Sequence, residues 1–373
     1  METAFSADVR ELGPDACAIA LRGGLDARAE PALADAHNRT RSPPRERAAP
    51  LVLLDGSRLS GLDGAGLGLL VKLWAWARAE GQTLRAFGLG ERFGALLREL
   101  GLEEALPLFP TEAAARAGAP RGPGAPTPET PEPCPPGVWA LALGRARLGS
   151  RDPAVSALNV DGLRVQGPLQ GFGQLWHKTY RARLARPDGG PSPAEVAEVF
   201  REHLGELWPE GNRLHLPRPG VVPGAVGAIH LRMPGGAPLE TGIRVLHAGE
   251  ASFTLATLEG HLQAGWITFG AYAEAASGTT VAQVQSVGRT GDPLYEVGFR
   301  LFGHAEQERF WGDTLRALGA RLGVAVRVEA VKELLDPGLN WAAAKNLWRN
   351  AGVRTGLSAA LSLAGRILGR RGT

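Results

Sequence analysis

Chemistry in this sequence has to come from a small set of side chains. The stretch "EGHLQAGW" places Glu259 two residues before His261, and a carboxylate beside an imidazole is the raw material of a general acid–base pair. The same residue types close a hairpin between two apolar runs, and the reading favoured here is that both are turn residues. "RTGDPLYE" (Arg289–Glu296) also gathers charge and a tyrosine, yet it reads as an Asp-Pro turn. No Gly-x-x-x-x-Gly-Lys-Ser/Thr loop, His-Glu-x-x-His pair or Gly-x-Ser-x-Gly elbow occurs. "GLGERFG" lacks the dinucleotide spacing. The two cysteines, Cys17 and Cys134, are far apart and exclude a disulfide framework or a Cys-x-x-Cys site. The expectation is a protein that is not an enzyme and carries no metal or cofactor. A cyclase- or hydrolase-like activity in the second half, through His261, is the least supported alternative.

A different constellation sits in "LLDGSRLSGLDGAGLGLL". Asp63 stands just before an apolar helix, where its carboxylate can cap the free N–H groups, and Gly66 lets another backbone approach closely. Asp63, Gly64, Ala65 and Gly66 make up that helix tip. Taken locally, the string is also a tight turn before a buried helix.

The elements that would position these residues follow from periodicity. "CAIALRG" and "PLVLLDG" are short apolar strands, the second continuous enough for a buried parallel strand. "GLGLLVKLWAWARAEG" is a helix with Leu67, Leu70, Val71, Trp74 and Ala77 on one stripe, ended by Gly81. "LRAFGL" and "ERFGALLRELG" add a strand and an amphipathic helix, so residues 1–116 read as an α/β domain. Residues 117–137, rich in proline and glycine, form a linker. In residues 138–335 the long strand "FGQLWHKTYRARL" carries Trp176, Tyr180, Ala182 and Leu184 on one face. "SPAEVAEVF" starts a helix with Ser192 as cap and Pro193 and Glu195 behind it. Five strand-like segments with Gly-rich turns and a helix of about 18 residues complete an α+β order.

Residues about 16–116 resemble the STAS domain of anti-sigma-factor antagonists, stressosome proteins and sulfate-transporter tails. The resemblance rests on "ALRGGLDARAEPAL", "PLVLLDGSRLSGLDGAGLGLLVKLWAWARAEG" and "LRELGLEEALPLFPTEAAA". The family pattern is a strand, a loop reading Asp-Ser-x-Gly and an apolar helix; Asp63, Ala65, Gly66 and Leu67 match it, and Gly64 stands where the phosphorylated serine would be. The resemblance implies a protein partner bound at Asp63, Gly64, Ala65 and Gly66, an anti-sigma factor or another STAS-interacting protein, with no phosphate switch at residue 64. Ser57 and Ser60 fall in the expected strand-to-loop turn, and nothing marks them as substitutes. Residues about 150–325 more loosely resemble the helix-grip fold of the START-like (SRPBCC) superfamily, an antiparallel sheet wrapped round a long C-terminal helix. That resemblance implies an apolar cavity, with Trp176, Tyr180, Trp266, Phe269 and Tyr272 either lining it or filling it.

Composition sets the remaining bounds. The chain has 373 residues, 44% hydrophobic and 21% charged, which is globular. Only four of its 41 basic residues are lysine, and the net charge is +3, so nucleic acid is not an expected partner. Residues 341–373 carry six basic residues and no acid, and the remainder sums to about −3. Residues 336–373 therefore read as a basic amphipathic helical tail, either on a membrane surface or docked on the protein itself. With no apolar leader and no long apolar run, the expected address is cytoplasmic, either free or peripheral to the membrane. The leading expectation is a non-catalytic regulatory or scaffolding protein with a possible apolar ligand; the alternative is a lipid-binding or lipid-transport accessory at the membrane face.

Overall fold

The computed structural model describes residues 5–41, 49–118, 133–135, 137–149, 156–185 and 190–358. The N-terminal unit consists of β1 (Ser6–Glu11), β2 (Ala16–Leu25), α1 (Glu30–Arg39), β3 (Leu51–Leu62), α2 (Gly64–Ala79), β4 (Thr83–Phe87), α3 (Gly90–Glu99), β5 (Leu108–Phe109) and α4 (Glu112–Ala117). Its sheet runs β1-β2-β3-β4-β5, antiparallel at the first pair and parallel thereafter. β3 lies inside the sheet, which is why "LVLL" is apolar on both faces. β3 is longer than its apolar run and continues to Leu62, so Ser57 and Ser60 are strand residues rather than turn residues. The Ser57 hydroxyl donates to Asp55 at 2.6 Å.

The C-terminal unit consists of β6 (Leu175–Leu184), α5 (Pro193–Leu207), β7 (Arg213–His215), β8 (Val226–Arg232), β9 (Pro238–Ala248), β10 (Ser252–Thr257), β11 (Gln263–Ala273), β12 (Thr280–Thr290), α6 (Pro293–Gly298), α7 (His304–Arg321) and β13 (Val328–Asp336). The order is β13-β6-β12-β11-β10-β9-β8-β7, antiparallel throughout. The expected capping box starts α5: the Ser192 hydroxyl accepts from Glu195 N–H, and the Glu195 carboxylate accepts from Ser192 N–H. α5 and α7 lie against one face of the sheet, over a core of Tyr180, Phe200, Phe253, Phe269, Leu315 and Leu318. This is the helix-grip arrangement.

Three local expectations are corrected. Asp292 opens a helix instead of a turn: its carboxylate accepts from Leu294 and Tyr295 N–H, and a π-helical turn over Phe299–Gly303 joins α6 to α7. β13 is not among the expected strands; it extends the sheet beside β6 and runs across the boundary, at residue 335, read from sequence between the α+β domain and the tail. Cys134, at the end of the proline-rich linker, is buried in the core.

Of the two alternatives for the tail, its described part takes the second. Residues 341–358 pack on the protein: Ala351 N–H donates to Gly260 O, Asn350 Nδ2 to Asp292, and Asn159 Nδ2 to Ala351 O and Thr355 Oγ1. The rest of the expected amphipathic helix, residues 359–373, lies outside the described residues. Among the described residues no helix is long and apolar enough to cross a membrane.

Candidate functional site

The tip of α2 has the local geometry its sequence dictates. Asp63 caps the helix, its carboxylate accepting from Gly66 N–H at 2.8 Å. A Cβ on Gly66 would stand 2.0 Å from Leu25 O, so this glycine lets the helix start against β2.

The tip does not face solvent. The expectation that residues 63–66 form an open contact surface is corrected: the chain's own sheet covers them. Gly64, Ala65 and Gly66 are buried. Ser252 Oγ donates to the other Asp63 oxygen at 2.8 Å, Trp266 Nε1 to Gly64 O at 3.3 Å, and Trp139 Nε1 to Leu62 O at 3.1 Å. Enclosure raises the Asp63 carboxyl to about 6, against the opposing effect of its hydrogen bonds from Gly66 and Ser252. Gly64 lies on Thr254 and Thr268, where a Cβ would sit 1.8 Å and 2.5 Å from the two hydroxyls. One turn later, a Cβ on Gly68 would sit 3.0 Å from Val287. Residue 64 is thus a position at which a side chain would clash with the covering sheet.

Farther along α2, buried Lys72 carries its ammonium into the same interface. It pairs with Glu30 at 2.6 Å and with Glu333 of β13, which also accepts from Trp76 Nε1 at 2.8 Å. Arg181 of β6 reaches Glu30 at 3.2 Å. Burial opposes ionisation of Glu30, but Lys72 and Arg181 outweigh it and hold the carboxyl below its usual range. His177 beside them is lowered to about 4, first by burial and then by Lys72. Glu30, His177 and Glu333 offer ligand atoms within 4.8 Å of one another, a donor set suited to a cation, and the ammonium of Lys72 supplies that charge. One hydrophobic cluster spans both units, joining Leu67, Leu70 and Leu73 to Trp139, Leu246, Ala256, Trp266 and Val287.

The opposite face of the sheet holds a cavity of about 940 Å³ between β6–β12 and the α6–α7 helix. Its walls are mainly apolar and aromatic, including Trp208, Ile243, Leu255, Phe299, Phe310 and Trp311. Among the described residues the buried indole N–H groups of Trp208 and Trp311 have no acceptor. Lys178, 1% exposed, is the wall's buried cation.

The five expected cavity residues divide. Trp176 and Phe269 line it. Tyr180 is buried in the core beneath the helices and is not on the wall. Trp266 borders the cavity along β11, yet its indole is committed to Gly64 O across the sheet. Tyr272 shares that far face by strand alternation, near Arg181 and Glu30. Glu259 and His261 are not joined by a hydrogen bond among the described residues. Glu259 accepts from Arg164 N–H and pairs with Arg349, while His261 Nδ1 accepts from Gln263 N–H, and burial lowers its pKa to about 4.

Sequence reasoning missed Lys72, Glu333 and Lys178, and each left a signal. The first fourteen residues of α2 contain one charge, Lys72, and a helix apolar all round must be covered on both sides. Lys178 falls between Trp176 and Tyr180 on the strand face assigned to the core.

The fold and this site define a two-unit protein, an N-terminal STAS domain clasped to the back of a helix-grip domain. Comparison agrees on the first unit: residues 10–110 match the family model described as "Mlab, STAS domain". Solved structures similar to parts of the chain include protein NE0264 from Nitrosomonas europaea, with 13% identity over 39% of this chain and 94% of that one, TM-score 0.30. The phosphorylated form of the Bacillus cell fate determinant SpoIIAA has 17% identity over 30% and 98%, TM-score 0.24. The di-domain ARO/CYC StfQ from the steffimycin biosynthetic pathway has 11% identity over 40% and 51%, TM-score 0.31. No curated protein matches this chain.

Proposed function

We propose that this protein is a non-catalytic, ligand-responsive regulator in which the helix-grip domain binds an apolar small molecule and is also the built-in partner of the STAS loop. One observation carries the reading: the strands that line the cavity hold α2 on their other face. Neighbouring residues alternate between the two sides, Lys178 with His177, Leu255 with Thr254, Phe269 with Thr268 and Ser286 with Val287. In so closely packed a sheet, a ligand that shifts a strand on one face moves the contact on the other. A partner that uses residues 63–66, such as an anti-sigma factor, must first displace this sheet, so ligand and partner are coupled through one interface.

Hydrogen exchange of residues 64–79 in the full chain, with and without the apolar probe 1-anilinonaphthalene-8-sulfonate, tests this. The expected result is probe fluorescence on binding together with changed exchange along α2. Ile267→Trp, which narrows the cavity from β11, weakens both. Absence of probe binding, or binding that leaves α2 exchange untouched, refutes the proposal.

A second reading, lipid handling at a membrane face, is favoured by one observation. Leu294, Val297, Leu301 and Phe302 are 54–66% exposed on α6 and the π turn, and Leu294 and Phe302 also line the cavity. Liposome flotation of the parent and a Leu301→Ser/Phe302→Ser variant decides it; both proteins remaining in the soluble fraction ends this reading.

A further inference from the structure

Lys178 occupies a position that burial alone makes costly. Its side chain lies on the inward face of β6, 1% exposed, and Lys178 is one of the residues lining the apolar cavity. Among the described residues it has no carboxylate partner. Its ammonium donates to Gln307 Oε1 at 2.6 Å and approaches His304 Nδ1 at 3.1 Å, both neutral acceptors. Gln307 cannot readily turn away, because its amide nitrogen donates to Gln263 Oε1 at 3.0 Å. Phe299 and Trp176 present ring faces 4.6 Å and 5.7 Å from the ammonium. The charged groups that act on it, Lys332 and Glu308, pair with each other at 2.5 Å instead.

Elsewhere among the described residues the buried Lys72 and Arg289 have acids. Lys72 has Glu30 and Glu333, and Arg289 has Asp336. A buried ammonium with only neutral partners and one proton to spare, on a residue that lines a cavity, lacks only an anion. Burial, with Lys332 adding to it, lowers its pKa to about 7, the direction expected of a cation waiting for a counter-charge.

Resting on the ligand-binding reading above, we infer that the cavity takes an apolar monocarboxylate, of the size of a fatty acid, whose carboxylate pairs with Lys178 while its hydrocarbon body lies against Leu255, Phe269 and Trp311. A single ammonium flanked by neutral acceptors suits one monoanionic head; a phosphate calls for a fork of several donors. A volume of about 940 Å³ accommodates such a chain.

The test uses the delipidated full chain with two fluorescent probes, cis-parinaric acid and its methyl ester, which differ only in the anionic head. In the parent, the acid binds about tenfold or more tightly than the ester, the ratio expected of one charge-assisted hydrogen bond. In Lys178→Met, which keeps the length and apolar stem, the acid loses that advantage and the ester binds at least as well as before. Equal binding of acid and ester by the parent overturns the inference without any variant, and so does an acid affinity unchanged in Lys178→Met. Failure of both probes to bind refutes the cavity reading itself, a result distinct from ester binding without acid preference.

Discussion

Restoring a side chain at residue 64 is the most direct perturbation of the interface. In Gly64→Ser the new Cβ would start 1.8 Å from Thr254 Oγ1, 2.5 Å from Thr268 Oγ1 and 2.8 Å from Thr254 Cβ. Ordinary contact begins near 3.4 Å, so β10 or the helix tip must retreat by about 1.6 Å. Rotating Thr254 does not suffice, because its Cβ is itself too close, and its hydroxyl is bonded to Thr268 at 3.0 Å in a fully buried position. Overpacking at such a site costs about 1–3 kcal/mol, and losing the threonine pair costs about 1 more. The sum, about 2–4 kcal/mol, is expressed as opening of the interface, since retreat from α2 relieves the clash. Amides of α2 protected by the docked sheet should then exchange about 30- to 1,000-fold faster, read by hydrogen exchange with mass spectrometry on the full chain. Thr254→Ala in the Gly64→Ala background removes the shortest contact and should recover part of the loss, giving a favourable coupling energy in a double-mutant cycle. Parent-like exchange and stability in Gly64→Ser would refute the reasoning, because residue 64 could not then lie against Thr254.

Other predictions concern charge at the same interface. Asp63 binds its proton more tightly in the folded protein, at about 6 against 3.8, so its contribution is fully present below about pH 3.8 and is lost as pH rises through 6. The loss is at most about 3 kcal/mol, and less in practice because part of the residue remains open to water. In urea denaturation at pH 4.5 and 7.5, the parent should lose stability relative to Asp63→Asn at the higher pH; an equal difference at both would count against the enclosed carboxyl. Lys72→Met leaves the half-buried Glu30 and Glu333 without their shared cation, and because both acids are partly open to water and Arg181 still reaches Glu30, it should cost about 1–3 kcal/mol in denaturant melts. Adding Glu30→Gln and Glu333→Gln should return most of it, and no recovery would mean that Lys72 acts through packing alone.

Much of the architecture was readable from local pattern. The strand β3, the cap at Asp63, the box at Ser192 and Glu195, and the meander β8–β12 each follow from periods and turn residues that act over a few positions. What was not readable depended on pairing distant segments. The burial of Gly64 is not legible in its own segment, because nothing near it in sequence reveals Thr254 or Thr268. Trp266, Phe269 and Tyr272 share aromatic character but lie three apart on a strand of period two, so Phe269 faces the cavity and the other two side chains point to the far face. Lys178 was passed over although it sits on the inward stripe between Trp176 and Tyr180. β13 gave only a weak alternation, and its place was set by pairing with β6, some 150 residues earlier in the chain.

The clasp around α2 also bears on how the chain must be made. Glu333, the second acid to reach Lys72, belongs to the last strand of the second sheet, whereas the N-terminal unit is complete by residue 117. At ribosomal speeds of about 5–20 residues per second, that leaves roughly ten to forty seconds between the two. Throughout that interval a nascent helix greasy on every side waits for its lid, so synthesis of this protein should lean on holdase chaperones more heavily than its finished surface would suggest.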